Sequence, residues 1–277
     1  MSESPRLSPE AVRLFMTGEH PGFASQRNRF KRIPSDPRCK ICSVPFGGLG
    51  GLALRPLGFG RSSNPSLCTK CTVELGKSGA RGVEIPCTLL FSDVRGSTGL
   101  GERMRPSAFH AFLGQFYRLA TRAIVDNDGI VDKVVGDEVI GLFFGGISGP
   151  DHAGAAIRAA LQLADTAARA DATQMGPIPV GTAVHTGDAF VGATGPAEAV
   201  EDFTALGDCV NATARLASAA GAGELLVSVA AAQAAHIPTE GREQRRLELR
   251  GRTEPMEVVV LRSRSETTAD PGQATVG

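Results

Sequence analysis

The clearest amphipathic pattern in the chain lies within residues 106–125. Phe109, Phe112, Leu113, Phe116, Ala120, Ala123 and Ile124 recur there at helical spacing, which predicts a helix with one buried face. His110 falls off that stripe and reads as a surface residue. A second helix is predicted at 151–170, rich in alanine and interrupted by Arg158, Asp165 and Arg169. Residues 87–91 form an unbroken apolar run, which predicts a buried strand. A turn at Asn127, Asp128 and Gly129 leads into an apolar strand from Ile130. Gly136 breaks the chain just before Asp137, and a second strand runs over 139–144, so this stretch reads as a hairpin. Strands are also expected at 179–185 and 189–193, divided by Thr186, Gly187 and Asp188, and at 203–206. A helix follows over 207–216, with Asp208 as its cap. Glu224–Ser228 reads as a strand, 229–235 as a short helix, and 246–250 and Met256–Arg262 as closing strands. Hairpins inside a helix–strand alternation favour an α+β fold over a doubly wound parallel sheet. The expectation is a mixed sheet covered by helices on one face.

Upstream, Ser8, Pro9 and Glu10 mark a helix start, and Gly18 can end that helix. Arg27, Arg29, Lys31 and Arg32 form a basic run that reads as a solvated segment. Cys39 and Cys42, then Cys68 and Cys71, make two CxxC pairs with 25 residues between them. Each pair can grip a tetrahedral ion from one knuckle, so the four thiols form a candidate metal site. Zinc is the first choice and an iron–sulfur cluster the alternative. The run Gly47, Gly48, Leu49, Gly50, Gly51 does not follow a strand and open a helix as a nucleotide fingerprint requires. It reads as a flexible loop of the metal module. Residues 72–84 read as a helix end and a glycine-rich linker. Cys87, far along the chain from both pairs, reads as a core thiol.

At 277 residues the chain can fill one large domain, or one domain and a small module. Its 29 basic and 29 acidic residues cancel, so no overall field draws it to nucleic acid or an acidic membrane. No apolar run is long enough to cross a bilayer, and no secretory leader is seen. A cytoplasmic protein with metal-bound or free thiols is therefore expected. The expected layout is an N-terminal helix and basic segment at 1–36 and a double-CxxC module with linker at 37–84. The main domain follows at 85–262 and a disordered polar tail at 263–277.

The candidate chemistry sits at strand ends. Asp137 stands on a glycine-opened turn with Lys133 four residues earlier, and Asp93 ends an apolar strand just before Gly96, Ser97 and Thr98. Either stretch alone also suits an ordinary solvated turn. Together, two strand-end carboxylates and a small Gly-Ser-Thr loop can hold a divalent metal and phosphate. Asn211 and Arg215 are four apart on a predicted helix and so share a face. They form an amide and a donor fork suited to a sugar and its phosphate, or else a helix-start residue and a surface arginine. His185, at a strand end, reads as structural.

Three stretches, Phe91–Thr98, Lys133–Asp137 and Thr204–Arg215, together resemble the catalytic domain of class III nucleotidyl cyclases, over residues 85–261. The resemblance implies a ferredoxin-like mixed sheet and an adenylate cyclase of bacterial type that acts on ATP. It implies that Asp93, Asp137 and the carbonyl of Val94 bind two magnesium or manganese ions per site. Gly96, Ser97 and Thr98 would cradle the triphosphate, Lys133 and Thr204 would select the base, Asn211 would orient the ribose, and Arg215 would steady the transition state. Arg252 is the candidate terminal-phosphate contact, with Arg250 as its alternative. The family divides its site between two chains, so a homodimer is implied. The acids would come from one protomer, and Lys133, Thr204, Asn211 and Arg215 from the other. Many bacterial relatives carry an arginine in the loop before the Thr204 strand. Residues 197–202 hold none, so no phosphate contact is expected there. The cysteine module lies outside the resemblance. It reads as a structural zinc knuckle or as a redox or metal sensor. A reading from another class makes the chain a zinc-dependent nucleic-acid binder with a silent cyclase fold.

Overall fold

The computed structural model describes residues 9–19, 21–60, 68–71, 82–170, 176–194, 202–252 and 254–262. Two strands set its plan. β1 (Gly82–Val94) and β4 (Val180–Thr194) pair antiparallel along the whole of β1, from Gly82 opposite Gly192 to Val94 opposite Val180. On the other side of β1 lies the hairpin of β2 (Ile130–Val135) and β3 (Glu138–Phe144). Beyond β4 come β6 (Glu224–Ser228), β8 (Met256–Arg262) and β7 (Gln244–Leu247), in the sheet order β2-β3-β1-β4-β6-β8-β7. β6 runs parallel to β4 and the other named pairs are antiparallel. β5 (Asp202–Leu206) pairs with the far end of β4. This is the expected mixed α+β sheet.

Helices cover both faces, where the sequence suggested one. On the first face lie α5 (Pro106–Asp126), α7 (His152–Ala168) and α9 (Val229–Ala234). Phe112, Phe116, Ala120, Ala123 and Ile124 of α5 are buried there, and Phe109 and Leu113 pack at the margin. Arg105 is extended and Pro106 takes the first helical position, where the missing N–H costs nothing. α7 buries Ala153, Ala155, Ala156, Ala159 and Ala160. These small side chains let it approach the sheet and α5 closely, and Ile157 and Leu163 add aliphatic bulk to the same core. The opposite face carries α1 (Pro9–Thr17), the cysteine knuckle and α8 (Asp208–Ala219), which share one core with Ile85, Leu89, Phe91 and Phe144. The one-face expectation missed this because α8 packs on the face opposite α5 and α7, and α1 and the knuckle join it from outside the helix–strand alternation. The short α4 (Ser97–Arg103) sets Leu100 against the core of the first face, and the single turn α6 (Gly145–Ser148) adds Ile147 to the core of the second.

Other departures have local causes. The turn expected at Thr186–Asp188 is absent, because these residues pair with Thr88, Cys87 and Pro86 inside one continuous β4. Tertiary pairing overrides the turn composition. The basic run forms part of α2 (Pro21–Lys31), and Arg27 donates to Gly146 O at 3.4 Å instead of standing free. The glycine-rich stretch is not a loop but α3 (Gly48–Leu54), secured where Ser35 Oγ donates to Gly47 O at 2.6 Å. Asp208 does not cap α8. Gly207 occupies the cap position, and Asp208 is the first helical residue. The last strand but one, β7, is shorter and earlier than the expected 246–250, at Gln244–Leu247. α1 ends where Gly18 turns with φ of 82°. Ser8, the linker at 72–81, the loop at 195–201 and the tail from 263 lie outside the described residues. Among the described residues no helix is long and apolar enough to cross a membrane.

Phe116 is wholly buried between α5 and the sheet. Phe116→Ala should lower stability by about 3–5 kcal/mol in chemical denaturation. The folded variant should keep the wild-type circular dichroism spectrum.

Candidate active site

The ends of β1 and the β2–β3 turn assemble the acids. Asp93 pairs with Glu138 across the β1–β3 ladder, and Val94 N–H donates to Asp137 O at 3.2 Å. The expected metal residues Asp93, Val94 and Asp137 therefore meet at one end of the sheet. Ser97 Oγ donates to Asp137 Oδ2 at 2.5 Å, which ties the small loop to the hairpin. Two glycines make this geometry possible. Gly136 turns the hairpin at φ of 60° and Gly96 opens α4 at φ of 71°, both in the left-handed region where a side chain is strained. Thr98 lies exposed in the first turn of α4.

Three further residues join this end without having been singled out in the sequence. Arg95 donates from its guanidinium to Asp93 Oδ1, to Ala217 O at 3.1 Å and to Ser218 O at 3.3 Å, linking the acid to the last turn of α8. A cation suits that helix end, where carbonyls concentrate negative charge. Burial lowers the Arg95 pKa, opposed by the charges of Asp137 and Glu138. Burial, followed by the charge of Asp137, pushes the Glu138 carboxyl above its usual range. The chain's one tyrosine, Tyr117, donates from its hydroxyl to Gly136 O and braces the turn. Arg95 and Glu138 were legible as neighbours of the two aspartates. Tyr117 was not, since its partner lies across the fold.

The candidate base-reading residues also meet. β5 curls back over the sheet to β2, although β3, β1 and β4 lie between them in the sheet order. Thr204 Oγ1 donates to Asp132 Oδ2 at 2.9 Å, and Lys133 Nζ lies 3.9 Å from the same oxygen. The Phe203 ring stands 6.4 Å from that of Phe144 and supports the return. On α8, Cys209, Ala212, Thr213, Leu216 and Ala217 face the sheet, while Asn211 is exposed and Arg215 half-buried. Arg215 lies against Gly251. Arg252 donates to Asp208 Oδ2 at 2.7 Å, at the start of the same helix. Arg250, its alternative, is exposed. His185 is structural as expected, its Nδ1 2.9 Å from Ser228 Oγ. Cys87 is buried beside Cys209.

The ligand atoms of Cys39, Cys42, Cys68 and Cys71 lie within 4.8 Å of one another. Four thiolates at about 2.3 Å from a tetrahedral ion stand about 3.8 Å apart, and Cys42 Sγ and Cys68 Sγ are 3.8 Å apart. The donor set and spacing fit one tetrahedral ion. Hydrogen bonds from Cys42, Cys68 and Cys71 hold the Cys39 thiol well below its usual range. The knuckle is fastened to the sheet, because Lys40 forms an ion pair with Asp128 in the turn before β2.

A mixed sheet thus carries two acids and a small Gly-Ser-Thr loop at one end and an Asn/Arg helix on its face. The family model for the adenylate and guanylate cyclase catalytic domain matches residues 84–263. The chain belongs to that family. It is 30% identical over 147 residues to an adenylate cyclase of Anabaena cylindrica, covering 52% of this chain and 28% of that one. It is 29% identical over 202 residues to a Mycobacterium tuberculosis protein named as uncharacterized, covering 72% and 36%. The chain thus spans about a third or less of these relatives' length. Among solved structures, the adenylyl cyclase CyaB from P. aeruginosa superposes with a TM-score of 0.57 at 26% identity, covering 65% of this chain and 96% of that one. The guanylyl cyclase Cya2 gives 0.60 at 24% identity, covering 65% and 92%, and shows the shared fold.

Glu138 yields a pH-dependent expectation. Its folded pKa is raised, so the stability linked to its proton is full below the usual glutamate value of about 4.3 and is lost as pH rises through the folded value. In magnesium-free buffer, Glu138→Gln should be more stable than wild type at pH 7. Urea titrations should show that gap shrinking as pH falls towards 4.

Proposed function

We propose that the protein is an adenylate cyclase that converts ATP to 3′,5′-cyclic AMP and pyrophosphate at two sites shared across a homodimer. The observation that carries the ATP reading is the meeting of Lys133 and Thr204 on one carboxylate. In the family these positions read the base, and a lysine with a threonine suits adenine. The acid end carries the reaction class. Asp93, Asp137 and the Val94 carbonyl are hard oxygen donors on adjoining strands, a set that fits magnesium or manganese. Burial, and then the charge of Asp137, raise the Glu138 carboxyl at the same spot. When bound, two such ions supply Lewis acidity to the attacking hydroxyl and the leaving pyrophosphate.

In this reaction the ribose 3′-oxygen forms a bond to the α-phosphorus. The bond from that phosphorus to the bridging oxygen of pyrophosphate breaks, and the hydroxyl proton leaves. The protein's part is to position and to neutralise. The turn at Gly96, Ser97 and Thr98 receives the triphosphate, and Arg252 meets its terminal phosphate. Asn211 holds the ribose so that attack is in line. Arg215 supplies positive charge where negative charge develops on the α-phosphate, an effect worth about 3 kcal/mol in comparable sites. Asn211 and Arg215 leave the outer face of α8, away from the protomer's own sheet core. That direction suits delivery into a partner's site. A homodimer then has two equivalent sites.

Purified protein with manganese should form cyclic AMP from ATP faster than cyclic GMP from GTP. Asp137→Ala and Arg215→Ala should each lose at least about 100-fold of the rate, in line with loss of an electrostatic contact at a transition state. An equal mixture of the two variants should regain about a quarter of the wild-type rate, because random pairing rebuilds one intact site in half of the dimers. Absence of product from the wild type with both nucleotides, or a mixture as dead as its parts, would overturn the reading.

The four cysteines we assign to one structural zinc ion, in a module of residues 37–84 ahead of a catalytic domain at 85–262. Purified protein should carry about one zinc per chain. Cys42→Ser should lose it and lower the melting temperature, as metal analysis and calorimetry on the same samples would show.

A further inference from the structure

We infer that Asp132 is a positioning residue that sets the base preference of this site, by fixing the Thr204 hydroxyl as a hydrogen-bond acceptor beside the Lys133 ammonium. The inference rests on the adenylate cyclase reading above. Asp132 is the extra residue of a β-bulge. Val131 pairs with Gly141 and Lys133 with Ile140, so no β3 residue stands opposite Asp132 in the ladder. A bulge re-aims side chains. Here the Asp132 side chain is only 3% exposed, while the next side chain, Lys133, is 42% exposed. One oxygen of Asp132 then serves both base-reading groups. It accepts from Thr204 Oγ1 at 2.9 Å and lies 3.9 Å from Lys133 Nζ.

The consequence follows from hydrogen-bond inventory. A hydroxyl has one proton, and a carboxylate can only accept. The Thr204 proton is therefore committed to Asp132, with the Ala205 carbonyl at 3.4 Å as a weaker receiver. What Thr204 offers a base is a lone pair. Thr204 is 2% exposed, so bulk water does not randomise this orientation. Lys133 offers donors only. Adenine presents an amine donor at position 6 beside an acceptor at N1. Guanine presents an acceptor at position 6 beside a donor at N1. An acceptor next to an ammonium matches the first order and sets two acceptors against each other in the second. Sites that read such groups discriminate because the wrong base leaves buried polar atoms unpaired.

The test is the ratio of kcat/KM for ATP over GTP. Asp132→Asn puts an amide in place of the carboxylate. Its NH2 can donate to Thr204 and release the hydroxyl proton. The ratio should fall at least about tenfold, as expected for one charge-assisted hydrogen bond. In a Thr204→Ala background, Asp132→Asn should change the ratio no further, since its effect runs through that hydroxyl. Asp132→Ser, which adds no bulk to the bulge, should give the same fall if Asp132→Asn does not fold. Dissociation constants for the α,β-methylene analogues of ATP and GTP give the same comparison without turnover. An equal loss for both nucleotides, or a ratio change that persists without Thr204, would overturn the inference. A wild type that prefers ATP while its Asp132 variants keep the ratio removes only this inference. A wild type that neither converts nor binds either nucleotide removes the adenylate cyclase reading along with it.

Discussion

The ladder between β1 and β4 is the constraint on which the rest of the structure depends. It runs the full length of β1, and its register decides where every candidate site group stands. β1 is also paired with β3, so Asp93 is carried opposite Glu138 and beside Asp137. β4 outruns its pairing with β6 and uses its far end to hold β5. β5 in turn brings Thr204 back to Asp132. The acid end and the base-reading cluster are thus two products of one pair of strands. A slip of one residue would turn every side chain of β1 to the other face. It would carry Leu89 and Phe91 into the core under α5 and Leu90 into the core under α8, where neighbours of different shape would have to accept them.

Much of this was legible because the signals were local. The stripe from Phe109 to Ile124 gave α5 almost to the residue, and the glycine before Asp137 gave the hairpin. The aspartates at the two strand ends could be paired in thought before they were paired in space. What the sequence hid was contact at long range. Thr186, Gly187 and Asp188 have the composition of a turn, yet β1 recruits them into a strand. Gly48 to Leu54 has poor helix formers, yet contacts around Ser35 and Phe46 make it helical. Asp132 looks like any charged residue before a lysine, and only the return of β5 shows that it is buried and shared. Tyr117 braces the active turn from a helix whose pattern speaks only of core.

The cysteine knuckle is part of the same structure rather than an appendage. Its buried thiols join the core that α8 and β1 share. Lys40, inside the first CxxC pair, holds Asp128 in the turn that starts β2. That turn leads directly into the strand of Asp132 and Lys133, whose far end is the Gly136 turn. An ion held by the four thiolates would therefore stiffen one root of the hairpin, while Tyr117 and Ser97 stiffen its tip. Few small modules can hold a loop still without such a cross-link, since their own apolar core is slight.

At the acid end each aspartate already has a partner within the chain. Asp93 leans on Arg95, and Asp137 accepts the Ser97 proton. These partners are the chain's own substitutes for a divalent cation. Arg95 is a fixed cation, and its anchor on the carbonyls of Ala217 and Ser218 keeps it beside α8 when charge at Asp93 changes. Cations bound to Asp93 and Asp137 would compete with both partners. A triphosphate adds negative charge to the same place and strengthens that exchange. The ion pair with Arg95 holds Asp93, and the hydrogen bond from Ser97 holds Asp137, so that both half-buried acids have a partner within the chain.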